Sequence, residues 1–325
     1  MIMLYRADGS ARPLAAAEPI DACPDDMVWI DLHAPTRDEE QLVERVLGIA
    51  VPTRDELKDI EPSSRLYSEN GAIYMTASIV WRADSGQPEL VDVGFVLAGG
   101  KLVTIRYAEP KSIGLFIAAF PRCVDGRWSG VKVLGRMLET ISDRSAEILE
   151  TAERKVDAVS RRVFAAGTRG NRRGLAFPQG ILFDIGEEQR LVAKTRDSLA
   201  SLYRLLTFFY GLQVVQDDKD VRELCRTITR DVQSLSEHAT FVSGNITFLL
   251  DASLGFINLE QNAIIKIFSI ASVVFLPPTL AASIYGMNFK VMPELDWNYG
   301  YPFALLVMIV SAVVPFIFFR WKGWL

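Results

Sequence analysis

The sequence predicts an α+β region that passes into long helices and ends in two membrane-spanning helices. Three observations carry that expectation. Residues 267–289 and 299–319 contain no charged side chain, and an apolar helix of about 20 residues crosses a hydrocarbon core of roughly 30 Å. Charged residues still make up 23% of the chain beside 50% hydrophobic residues, a mixture that calls for a soluble part joined to the membrane part. The 325 residues are enough for both.

Residues 1–130 read as a sheet flanked by helices. Thr36-Arg37-Asp38-Glu39 and Thr53-Arg54-Asp55-Glu56 fit the capping box and each follows a proline, so a short helix is expected after each. Ala72 to Trp81 has strand composition, and Val91 to Tyr107 reads as two strands around a Gly99-Gly100 turn. Residues 131–216 read as a helical hairpin. Its arms run from about Val131 to Ala165 and from Gly180 to Leu212, with the Gly- and Arg-rich stretch from Gly167 to Gly174 as the turn. Glu139, Asp143, Glu147, Glu150, Glu153 and Asp157 recur at threes and fours on the first arm. That stripe is either a solvated face or a loose surface for divalent ions. Residues 217–284 read as one long helix, stalk and first crossing together. A loop over 285–300, a second crossing over 301–319 and a basic tail over 320–325 follow.

Composition excludes several function classes. A net charge of -5 offers no basic face for nucleic acid. Cys23, Cys123 and Cys225 stand far apart and the histidines are His33 and His238, so neither a zinc site nor a disulfide framework is expected. The N-terminus carries no basic stretch followed by an apolar run, so no cleavable signal is expected. There is no GxxxxGK[ST] loop and no nucleophile–base constellation; no enzyme and no resident cofactor are expected.

Lys266 precedes the first crossing, and Arg320 and Lys322 follow the second, whereas the loop between sets Lys290 against Glu294 and Asp296. Positive-inside reasoning puts both termini in the cytoplasm. Trp297, Tyr299 and Tyr301 at one end and Trp321 and Trp324 at the other suit interfacial belts. On the first crossing, steps of three and four connect Asn262, Ile265, Ser269, Ser272, Leu276, Thr279 and Ser283, and the same register extends back to Asn258, Gly255 and Asp251. A polar stripe in a membrane helix faces a partner helix or water; hydrogen-bonded packing and a pore lining both remain open. Two helices cannot enclose a hydrated channel alone, so a pore requires several copies. Pro277 and Pro278 lie within this crossing and free the carbonyls of Val273 and Val274, which a wet cavity or protein contact tolerates.

The stripe runs into Tyr285-Gly286-Met287-Asn288. Within "PPTLAASIYGMNF", followed by "MPEL", "YGYP" and the tail "FRWKGWL", this closely resembles the signature of the CorA family of magnesium channels. The likeness extends to Trp29–Ile49 and Pro52–Thr76 at the start of the chain. The resemblance implies a homo-oligomeric, funnel-like, pentameric channel in the inner membrane. It would carry hydrated Mg2+, with Co2+ and Ni2+ on the same path, and be gated by cytoplasmic Mg2+. It also implies a selectivity filter of Gly286, Met287 and Asn288 supported by Tyr285, and an acidic cytoplasmic pore mouth at Asp251. Mg2+ sheds water reluctantly, so amide and carbonyl oxygens that accept from its water shell suit it. Gly286 would permit the bend that presents such carbonyls. Glu294 and Asp296 would concentrate cations at the mouth; Leu276 and Ile265 would be apolar collars. The first alternative is a Zn2+ transporter on the same scaffold, proton-coupled, although that branch departs from Gly-Met-Asn and "MPEL". The second is a non-conducting membrane-anchored sensor or scaffold.

Overall fold

The structure is a computed structural model and describes residues 1–14, 24, 26–58, 61, 65–123, 128–173, 178–288, 292–293 and 297–323, except for the side chains of 168–173. The chain divides into two compact units. One holds Met1–Arg162 and Gly180–Leu250, and the other Val163–Gln179 and Asp251–Leu325. This division cuts across the sequence-based segments, because two helices each contribute to both units.

The first unit is built on a seven-stranded sheet ordered β2-β1-β3-β7-β6-β5-β4. The strands are β1 (Ile2–Arg6), β2 (Ala11–Leu14), β3 (Met27–His33), β4 (Leu66–Glu69), β5 (Ala72–Trp81), β6 (Glu89–Ala98) and β7 (Lys101–Arg106). Every neighbouring pair is antiparallel except β3 and β7. Side chains alternate between the two faces of a strand. Ile30, Leu32, Val103 and Ile105 therefore join the apolar cluster containing Leu42 and Val43 of α1 (Arg37–Leu47). Trp29, Asp31, Thr104 and Arg106 point the other way.

On that second face Trp29 stacks on Tyr5 at 4.0 Å and meets Phe116 and Phe120 of α2 (Lys111–Cys123), each at 5.5 Å. Among these rings lies a buried ion pair. Asp31 accepts from Arg106 Nε and Nη2 at 3.1 and 2.9 Å and from Thr104 Oγ1 at 2.7 Å. Thr104 in turn accepts from Trp29 Nε1 at 3.0 Å. Asp31 pairs with Thr104 in the β3–β7 register, so these bonds hold the parallel pair in place. A charge taken out of water is tolerated when its lone pairs are filled in this way.

Long helices complete the unit: α3 (Gly130–Arg173) up to Arg162, α4 (Gly180–Tyr210), the short α5 (Gln213–Gln216) and α6 (Lys219–Tyr285) up to Leu250. Strand β4 pairs only with residues 72–75 of β5, which leaves the rest of that edge open. Helix α4 covers it: Ser201 Oγ accepts from Ser78 N at 3.0 Å, and Ser198 Oγ donates to Ser78 O at 2.8 Å. Two serines thus satisfy an edge that would otherwise invite another strand.

The first capping box is present as expected, with Thr36 and Glu39 exchanging bonds at the start of α1. The second makes the same bonds, Thr53 N to Glu56 at 2.7 Å and Glu56 N to Thr53 Oγ1 at 3.4 Å. Among the described residues, however, it opens only a 3₁₀ turn, Glu56–Lys58. The stretch assigned to a hairpin turn also differs: α3 continues through Gly167 to Arg173. A Cβ on Gly167 would lie 2.4 Å from the Phe256 ring, so this glycine makes room for an aromatic neighbour within the second unit. Strands β1 to β4 and helix α2 were not anticipated.

Candidate ion pathway

The second unit contains the second half of α6, from Asp251, and all of α7 (Gly300–Trp321). Both helices are long and apolar enough to cross a membrane, and their apolar windows are almost wholly unburied. Asn262 to Ser283 rises about 31 Å at 1.5 Å per residue, close to the hydrocarbon thickness of a bilayer.

Asn258, Asn262, Ile265, Ser269, Ser272, Leu276, Thr279 and Ser283 are all exposed and share one line along α6. Its sheltered positions from Ile267 onward are Ile270, Ala271, Val274, Pro277, Pro278, Ala281 and Tyr285. At 100° per residue the two lines lie roughly 180° apart. The expected apolar back face is thus sheltered at Ala271 and Val274 but exposed at Ile264, Ile267 and Phe275. On α7 the sheltered line begins at buried Gly300 and Ala304 and continues through half-buried Met308, Ser311 and Pro315. The small pair four residues apart is the kind that lets helices approach in lipid. That Gly-x-x-x-Ala spacing was legible in the sequence and was overlooked.

Two hydroxyls on the exposed stripe have a defined polarity. Ser272 Oγ donates to Phe268 O at 2.9 Å, and Thr279 Oγ1 donates to Phe275 O at 3.0 Å and Leu276 O at 2.9 Å. With each proton directed into the helix, the oxygen lone pairs remain for outside donors. A hydrated cation presents such donors, its water protons. Ile265 and Leu276 interrupt the polar line with large apolar side chains, 61% and 65% exposed.

At the top of the stripe the helix ends by hydrogen bonds from Gly286 N to Ala282 O at 2.9 Å and from Met287 N to Ile284 O at 3.2 Å. Gly286 does not occupy the left-handed region, so conformational licence is not what its place requires. A Cβ there would come 3.1 Å from Ala282 O; the glycine relieves crowding against the last carbonyls. Met287 and Asn288 follow it, both exposed. Asp251 is exposed at the other end of the stripe. Glu294 and Asp296 lie outside the described residues, as does Trp324. Trp297 packs on Phe303 at 5.6 Å, while Tyr301 and Trp321 are largely exposed, at 76% and 78%. Lys322 Nζ sits 5.7 Å from the Trp321 ring. Among the described residues no group of three or more His, Cys, Asp or Glu side chains is arranged to hold a metal.

Residues 24–321 match the family described as CorA-like Mg2+ transporter protein. The chain belongs to that family. It is 35% identical over 300 residues to the magnesium transport protein CorA of Pasteurella multocida, covering 92% of each chain. It is likewise 35% identical over 302 residues to the protein of that name from Salmonella typhimurium, again covering 92% of each. The complete structure of the CorA magnesium transporter from Methanocaldococcus jannaschii shares the fold, with a TM-score of 0.76 at 20% identity, covering 100% of this chain and 98% of that one. The ZntB cytoplasmic domain from Vibrio parahaemolyticus shares it more distantly, with a TM-score of 0.54 at 10% identity over 78% of this chain and 96% of that one.

Proposed function

We propose that several copies of this chain, five by family resemblance, surround a membrane pore for hydrated Mg2+. The observation that carries this reading is the exposed stripe from Asn258 to Ser283, which ends at the exposed Asn288. An exposed line of hydroxyl and amide groups opposite the sheltered face of the same helix is costly against lipid and well used around a wet axis. In this reading the Asn288 amide oxygens form a ring that accepts hydrogen bonds from the ion's water shell. Gly286 and Met287 complete the filter, with Tyr285 behind them. Ile265 and Leu276 close the path by excluding water when the copies draw together, and Asp251 collects cations at the cytoplasmic mouth.

An inside-negative potential suffices as driving force, since a divalent ion gains about 4.6 kcal/mol per 100 mV. Both termini lie in the cytoplasm and the protein resides in the inner membrane. Co2+ and Ni2+ follow the same path. Cytoplasmic Mg2+ acts as the gate: between Asp217 and Glu260 the sequence has eight acids and four bases, so neighbouring copies repel unless cations lie between them. Within one chain, the Asp143 carboxyl is pushed above the usual range first by burial and then by the charges of Glu139 and Asp231. Bound ions would favour the closed arrangement, and their loss the open one.

The fold shared with a ZntB domain says nothing about cargo. Flux into liposomes holding the purified protein separates the readings. Mg2+ entry that follows an imposed inside-negative voltage, without a proton gradient, is expected. Zn2+ entry that follows a proton gradient would transfer the chain to the transporter reading, and no flux of either ion would favour the sensor.

A further inference from the structure

Three described side-chain oxygens of the first unit are buried without a hydrogen-bond partner: Ser112 Oγ, Glu188 Oε2 and Gln189 Oε1. The second is a carboxylate oxygen. Glu188 is only 5% exposed. With Ile185 of α4 it faces Val156 and Val159 of α3 and Ile246 and Leu249 of α6 across an apolar recess too narrow to admit a water molecule. The other oxygen, Oε1, lies 3.0 Å from Lys155 Nζ, whose side chain is half exposed. The carboxylate is therefore paired on one side and faces hydrocarbon on the other.

An ionised oxygen without donors is expensive in such surroundings, and there is no space for a water or a cation to relieve it. A proton does fit. We infer that Glu188 takes up a proton when α3, α4 and α6 pack together, making this three-helix packing responsive to pH. The inference concerns the first unit alone and does not depend on the ion-path reading.

The charges around Glu188 agree with it. From α3 Lys155 favours the ionised form, and it does so from a half-exposed position. From α4 itself, Glu187 and Asp184 oppose ionisation, Asp184 being bonded to Arg162. From α6 the recess receives the apolar Ile246 and Leu249. Of the polar groups on α6, Ser243 accepts from Gln189 at 3.4 Å and His238 pairs with Glu153 at 3.4 Å. Burial is the leading cause that raises the Glu188 carboxyl above its ordinary value, and Lys155 only partly offsets it. Folded protein thus holds this proton more tightly than the unfolded chain. The stabilisation is whole below the ordinary glutamate range and is lost as pH rises through the raised value.

The test compares the full-length protein in detergent with Glu188→Gln and Lys155→Met, by thermal unfolding between pH 5 and pH 8. Subtracting wild type from Glu188→Gln cancels the titration of all other groups. That difference in Tm is expected to move in favour of the variant as pH rises, by roughly 3 °C for each unit of upward shift. Lys155→Met should lose Tm with rising pH more steeply than wild type, because the remaining charge is left unpaired. A Glu188→Gln difference that is flat, or that moves against the variant as pH rises, would make Glu188 an ordinary ion-pair partner and overturn the inference. If Glu188→Gln does not fold, amide exchange over residues 240–250 of the wild type decides. Protection, corrected for intrinsic rate, should fall from pH 5 to pH 8, and constant protection would overturn the inference.

Discussion

The two units use the same kinds of side chain in opposite ways. In the first, large apolar residues are inside: Trp29, Phe95, Phe120 and Phe209 are all under 2% exposed. In the second, Phe268, Phe275 and Leu276 are 65% exposed or more. Polar groups invert likewise. Asp31 in the sheet is buried with its oxygens filled, whereas the Ser and Thr of α6 stand outside on an apolar helix. Lipid accounts for the exposed phenylalanines, since hydrocarbon is as good a neighbour as a core. It does not account for the exposed hydroxyls. The comparison therefore separates two kinds of outside surface on a single helix, one apolar and one carrying hydroxyls and amides, which the proposed function assigns to lipid and to water.

The largest effect should come from the end of the polar line. Asn288→Ala is expected to abolish Mg2+ flux in the liposome assay while leaving the thermal unfolding of the first unit unchanged; loss of both would erase the distinction between the units. Next, Asp31→Ala leaves Arg106 buried without its partner and should destabilise the first unit by about 3–5 kcal/mol, measured by denaturant unfolding. Ala304→Leu overfills the sheltered line of α7 and should cost about 1–3 kcal/mol, with reduced Tm of the membrane part. Thr36→Ala removes one cap from α1 and should cost about 1 kcal/mol. An Asp31→Ala effect no larger than that of Thr36→Ala would mean that the buried pair is not holding the sheet.

What could be read in advance follows from how each feature is encoded. Strands β5, β6 and β7 announced themselves by composition and by Gly99-Gly100, both glycines having positive φ in the structure. Strand β3 did not, because it is buried on both faces and so shows no alternation, and its Asp31 reads as a surface residue until Arg106, 75 residues away, is placed beside it. The capping box at Thr53 is a local signal that tertiary structure cut to one turn. Gly167 was misread for a similar reason: glycine marks turns, yet here it marks contact with a ring from a distant segment. On α6 the stripe was fully legible, since seven-residue spacing needs no tertiary information. The polarity of its hydroxyls was not, because the choice of acceptor carbonyl is visible only in three dimensions.

The central claim is that the stripe on α6 faces water. It is tested most directly by single cysteines placed along that helix and treated with a charged, membrane-impermeant thiol reagent during Mg2+ flux. Cys23 and Cys123 are first replaced by Ser, the latter being exposed; buried Cys225, whose thiol burial pushes up to about 12, can stay. Cysteines at Ser269, Ser272, Thr279 and Ser283 should react and block flux, whereas those at Phe268 and Phe275 should remain unreacted and conducting. Equal reactivity on both faces, or block from the phenylalanine positions alone, would contradict a water-lined path along this line of residues.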